Sequence, residues 1–98
     1  MVSGIIENSA ITASDETNIN SGGGTKTVAL KRGFLVVSRE HSTASFNVLC
    51  VFCKHDALIY KIADVGATTN AISVSATIDT VTITNNHAVA CYWYTLGN

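Results

Sequence analysis

Apolar and polar residues alternate with a period of two along most of this chain, the pattern of half-buried extended segments. In residues 25–31, Thr25, Thr27, Ala29 and Lys31 fall on one side and Lys26, Val28 and Leu30 on the other, which predicts one strand. Arg32 and Gly33 interrupt it, and residues 34–37 are apolar on both sides, as an interior strand would be. Residues 45–53 predict a longer strand with Phe46, Val48, Cys50 and Phe52 on one face and Asn47, Leu49, Val51 and Cys53 on the other. The first face belongs to a core; the second needs a cover, from another sheet or from a subunit partner. Lys54, His55 and Asp56 read as a short polar turn, so 45–53 and the run at 57–60 are expected to pair as a hairpin, with Leu58, Tyr60 and Ile62 opposing the earlier strand.

Further strands are expected at 72–76, at 81–84 and, last, at 88–96. Between them, 38–43 and 66–70 read as polar loops, and Asn85–Asn86 as a turn whose side chains tolerate a left-handed backbone. Proline is absent, and no segment keeps the i, i+3, i+4, i+7 spacing of a helix beyond one turn. The expectation is an all-β domain, an antiparallel β-sandwich or jelly roll of about seven or eight strands. Residues 1–24 differ: they are small and polar, with apolar Ile5, Ile6, Ile11 and Ile19, and close on Gly22, Gly23 and Gly24. They read as an N-terminal arm or connector, with a short strand pair as the alternative, ahead of a sandwich body over 25–98.

Composition sharpens this picture. The 98 residues suit a single domain, and 47% are hydrophobic while only 13% are charged, about half the usual charged share. So little charge beside so much apolar surface is what an oligomer with buried subunit faces would show, although a small domain with an uncharged polar surface would look similar. Six basic residues are scattered among seven acids, and Lys31–Arg32 is the one basic pair. No electrostatic footprint for a phosphate backbone exists, so nucleic-acid binding is not expected. The longest apolar stretch, 48–53, is far short of the roughly 20 residues that cross a bilayer. The first residues lack the basic start and apolar run of a signal peptide, so folding in a cytoplasm is expected.

Candidate chemistry is sparse. Cys50 and Cys53 on one strand would lie about 10 Å apart on opposite faces, too far for a disulfide, and all three cysteines read as small buried hydrophobes. Cys53 and His55 share one face of their strand, as do His87 and Cys91 of theirs. Were those strands adjacent, a Cys2His2 zinc site would be conceivable, but Val51 and Phe52 are strand formers where a zinc knuckle wants a tight turn. That grouping is a remote candidate, and no metal or other cofactor is expected. A thiol redox site lacks a helix after Cys53, no nucleophile elbow marks a hydrolase, and the acids are too dispersed for glycoside cleavage. An enzyme is not expected. The aromatic run Tyr92, Trp93 and Tyr94 is more informative, because consecutive strand residues alternate sides: with Trp93 in the core, both tyrosines stand outside. Such rings can stack on sugars or anchor protein contacts. The polar loops at Arg39–His41 and Lys54–Asp56 could supply hydrogen bonds to a ligand, and Tyr92, Tyr94, Arg39 and His41 are the candidate ligand-binding residues.

The segments Gly33-Phe-Leu-Val-Val, Ala57-Leu-Ile-Tyr, Ile72-Ser-Val-Ser, Val81-Thr-Ile-Thr-Asn-Asn and the terminal Trp93-Tyr-Thr-Leu-Gly together resemble the small C-terminal receptor-binding modules of bacteriophage and prophage tail fibres. The likeness spans residues 25 to 98 and is one of strands and turns rather than of an invariant motif. It implies a trimeric β-sandwich head of the virion that contacts a host-surface glycan or protein, without catalytic residues and without disulfides. The chain is shorter than most fibre proteins, so a small stand-alone virion protein or an excised head is implied. A carbohydrate-binding or capsid-decorating sandwich is the alternative.

Overall fold

Alternating segments become strands wherever one side can be buried, and the computed structural model describes residues 10–13, 19–42, 45–66 and 70–98. The described residues hold eight strands: β1 (Ala10–Ala13), β2 (Gly24–Ala29), β3 (Arg32–Ser42), β4 (Ser45–His55), β5 (Leu58–Val65), β6 (Ile72–Ala76), β7 (Thr80–Asn85) and β8 (Tyr92–Gly97). They form two sheets, one of five strands in the order β1-β8-β3-β4-β5 and one of three in the order β2-β7-β6. Every pairing is antiparallel, and the described residues contain no helix. The chain is therefore all-β, with two antiparallel sheets around one core, as the alternation implied.

The core lies between the sheets. The larger sheet contributes Leu35 and Val37 from β3, Val48, Cys50 and Phe52 from β4, and Trp93 from β8; the smaller contributes Val28, Ile72, Val81 and Ile83. Burying a side chain of this size stabilises the fold by about 1.5–3 kcal/mol. Leu30, from the loop between β2 and β3, and Ile19 and Cys91, which bridge each other through their backbones, fill the ends.

Two buried polar side chains tie the loops at opposite ends of this core. At one end the Lys54 ammonium donates to the carbonyls of Lys31 (3.3 Å), Ile78 (3.2 Å) and Asp56. These belong to three different loops, so one cation satisfies three acceptors that would otherwise lose their water. At the other end Asn85 Nδ2 donates to the carbonyls of Ile19 (2.9 Å) and Val89 (3.0 Å), and its Oδ1 accepts from His87 N at 2.8 Å.

Several local expectations are corrected. Residues 38–43 are not a loop up to Ser42, because Arg39 to Ser42 continue β3 and pair with the start of β4. The turn after β4 is Asp56–Ala57, with Asp56 at φ 54, while Lys54 and His55 still belong to the strand. The last strand begins at Tyr92 rather than at residue 88. Its expected first part is diverted: Val89 N donates to His87 Nδ1 and Val89 O accepts from Asn85, so side chains take the bonds a ladder would need. Neither Asn85 nor Asn86 has a left-handed backbone; Asn85 shapes the turn through its side chain. Within the stretch read as an arm or connector, β1 pairs with β8, and Ile19 is buried in the core of the same chain. Residues 1–9, with Ile5 and Ile6, and 14–18 lie outside the described residues, as do 67–69 of the expected 66–70 loop and the side chains of Phe46 and Asn47.

Candidate interaction surface on the five-stranded sheet

The strands β3 and β4 are apolar on both sides, and the smaller sheet covers one side only. Their other side forms the outer face of the five-stranded sheet. Cross-strand register lines its residues up in rows: Tyr60, Cys53, Phe34 and Leu96 in one, Ala63, Val51, Val36 and Tyr94 in the next, Val65, Leu49, Ser38 and Tyr92 in the third. Leu58 (75% exposed) and Tyr60 (72%) stand out most at the β5 edge. Tyr92 and Tyr94 are 37% and 39% exposed, and Trp93 between them is buried. The alternation inferred for this aromatic run is the one found.

Of the candidate ligand-binding residues, Tyr92, Tyr94 and Arg39 gather on β8 and the neighbouring end of β3. The Arg39 guanidinium lies 5.6 Å from the centre of the Tyr92 ring and donates to the Ala90 carbonyl at 3.2 Å. Cation–π attraction and this hydrogen bond hold it across the ring. Tyr92 therefore already has a partner on one face, and a ligand stacking there has to share it or displace it. His41 lies on β3 two residues beyond Arg39; its side chain lies outside the described residues. Among the described residues, past Ser38 and Leu49 only β3 and β4 run on, as a two-stranded hairpin, because β8 begins at the level of Ser38 and β5 ends at the level of Leu49. Arg39 stands where this hairpin leaves the sheet.

The remote zinc grouping is not assembled. Strand β3 lies between β4 and β8, so Cys53 and Cys91 are not on neighbouring strands. Cys53 and His55 lie on the outer side, whereas Cys91 is in the core, and His87 Nδ1 already accepts from Val89 N. Cys50, Cys53 and Cys91 are all unbridged.

A second polar feature escaped sequence reasoning. A bulge in β5 leaves Ile62 without a partner on β4, since Val51 pairs with Ala63 and Phe52 with Lys61. That extra residue lets Lys61 and Asp64, three apart, both face inward. Lys61 Nζ donates to Asp64 Oδ2 at 2.7 Å and to Asn70 Oδ1 at 3.3 Å, Asn70 N donates to Asp64 Oδ2 at 3.0 Å, and the Cys50 thiol lies 3.5 Å from Asp64 Oδ1. The Lys61 ammonium holds the Asp64 carboxyl below its ordinary range, ahead of the opposing effect of burial. Burial, reinforced by the Asp64 charge, pushes the Cys50 thiol up to about 12. The network borders a cavity of about 380 Å³ between β5 and β6, floored by Phe52, Ile59, Ile72 and Val74. An odd-spaced Lys-Asp pair in a strand gives no period-two signal, so the sequence pattern concealed it.

Comparison of the chain with protein-family models, with curated proteins and with solved structures finds no match in any of the three.

Proposed function

We propose that this chain is a non-enzymatic structural and receptor-binding module of the tail-fibre type, part of a virion, that assembles as a homotrimer and contacts a host-surface glycan or protein. The observation that carries the reading is the outer face of the five-stranded sheet, a broad apolar surface uncovered by the smaller sheet. Such a face serves contacts between macromolecules better than small-molecule chemistry, because large exposed apolar patches mark interaction sites. The winding supports kinship with jelly rolls: β1 with β8 and β2 with β7 pair as a jelly roll's outer turns do, while β3, β4 and β5 form a meander within one sheet.

Receptor contact falls to the β3–β4 hairpin past Ser38 and Leu49 and to its base, where Arg39 offers donors beside the Tyr92 ring at the margin of the face, with His41 further along. A carbohydrate-binding sandwich is the second reading, favoured by the exposed Tyr94 ring beside the Arg39–Tyr92 pair, since aromatic faces stack on sugars.

The experiment is retention of the purified protein on a panel of bacterial envelope polysaccharides and intact cells, beside Arg39→Ala and His41→Ala. Saturable retention, weakened tenfold or more by either substitution in folded protein, is the expected result. Retention on none of the panel, or retention indifferent to both substitutions, overturns the receptor-binding assignment.

A further inference from the structure

We infer that the outer face of the five-stranded sheet is buried against another copy of this chain, with Cys53 inside the contact. The inference rests on the reading of the chain as an assembling module and names the surface through which it assembles. Among the described residues, nine large apolar side chains are exposed, and all but Ile78 lie on this one face or at the β5 bulge that borders it. Taking roughly 200 Å² for a large side chain, their exposed fractions amount to about 800 Å², which is what one partner contributes to a standard protein–protein interface.

The chemistry of the face points to a copy of the chain rather than a charged partner. The three rows from the Tyr60 row to the Tyr92 row contain no Asp, Glu, Lys or Arg. A surface without charge meets its own copy without like-charge repulsion and offers a charged partner nothing complementary. The charges lie at the margins: Arg32, in the row beyond Tyr60, pairs with Asp56 at 3.2 Å, and Arg39 sits over Tyr92. Association through the face is also favoured over strand addition at β5, because that edge carries a bulge and the inward-facing Lys61, two features that block edge pairing.

Cys53 reports on the contact. It sits between Phe34 and Tyr60 in register and is partly exposed, whereas Cys50 and Cys91 are fully buried. In the folded single chain a maleimide would reach Cys53 first.

The test is the absolute mass of the full chain by light scattering, together with the maleimide labelling rate of Cys53 located by mass spectrometry. Leu58→Glu and Tyr60→Glu are measured beside it, both at well-exposed positions outside the core. The expected result is a mass of three whole chains and Cys53 labelling at least tenfold slower than in the variants, with the variants monomeric and folded by circular dichroism. A monomer whose Cys53 labels promptly overturns the inference, because the face is then open. A monomer whose Cys53 is protected also overturns it, because the chain then covers its own face. An oligomer whose mass and labelling rate ignore both substitutions places the contact elsewhere and overturns it as well. Envelope retention is scored separately through Arg39 and His41, which lie outside the three rows of the face, so the receptor assignment and the self-contact can fail independently.

Discussion

Gly33 and Gly97 stand opposite each other on β3 and β8, and each occupies the space that a side chain on the other would need. A Cβ on Gly33 would lie 2.8 Å from the Gly97 Cα, and one on Gly97 would lie 2.9 Å from the Gly33 Cα, with a backbone carbonyl closer still in each case. Both residues also have positive φ, +138° and +150°, where a side chain is strained whatever the space. Strain and backbone collision combine, so Gly33→Ala and Gly97→Ala are each expected to cost about 2–3 kcal/mol or more. In a domain of this size that corresponds to a fall of roughly 10–20 °C in Tm. Gly22→Ala is the matched control: φ is +71° but no atom lies within 4 Å of the added carbon, so about 1 kcal/mol is expected. Thermal melts of the three variants check the ranking, and equal losses at all three would show that steric contact between the strands contributes nothing.

Asn85 is the polar residue whose loss should be felt most. It is fully buried, donates twice and accepts once, and so holds Ile19, His87 and Val89 together. Asn85→Asp keeps the shape but turns a donor toward two carbonyls into an acceptor. Leaving buried carbonyls facing a carboxylate is expected to cost at least about 3 kcal/mol at neutral pH. Protonating the introduced carboxyl restores one donor, so the loss should shrink as the pH falls. Urea titrations of both proteins at neutral and acid pH check this; a loss that does not change with pH would rule out the donor–acceptor account.

The division of the aromatic run was legible from three consecutive letters, because strand geometry alone sends Trp93 to one side and Tyr92 and Tyr94 to the other. The two-faced apolar character of β4 was likewise visible in Leu49, Val51 and Cys53, which is why a missing cover could be anticipated. Polar residues misled where burial was specific to the tertiary structure. Lys54 looked like a turn residue, yet it continues the inward series Val48, Cys50 and Phe52, and three carbonyls make its burial tolerable. Arg39 looked like a loop residue because nothing local announces that Tyr92 will lie beneath it. The placement of β8 between β1 and β3 depends on pairing between distant segments, for which alternation carries no information.

The Lys61–Asp64 pair provides a test at low pH. The Asp64 carboxyl is held below its ordinary value, first by the Lys61 ammonium and also by Asn70 N, against the cost of burial. The unfolded chain therefore binds the proton more readily than the folded one as the solution is acidified. Asp64 contributes its full stabilisation above about pH 4 and loses it as the pH falls through the folded-state value. Asp64→Asn is expected to be less stable than the wild type by about 1–2 kcal/mol at pH 7, with the difference closing toward pH 2. Chemical denaturation across that range measures it. A constant difference would mean that the side chain acts through shape and not through charge.

Cys50 makes the opposite prediction at high pH. Its thiol is pushed up to about 12, chiefly by burial and then by the Asp64 charge, from an ordinary value of 9.0. Between those values the unfolded chain releases this proton and the folded chain keeps it. Stability therefore falls as pH rises through the window, by up to about 1.4 kcal/mol per pH unit for this one group. Cys91, also raised by burial, adds to the fall. Lys54 works against it: burial lowers its value, so the folded chain gives up that proton first, and stability gains as pH approaches the ordinary lysine value of 10.5. Comparing the wild type with Cys50→Ala cancels Lys54 and Cys91 and isolates the one thiol. The variant should show a shallower alkaline slope, and two parallel curves would mean that Cys50 ionises in the folded chain as readily as in the unfolded one.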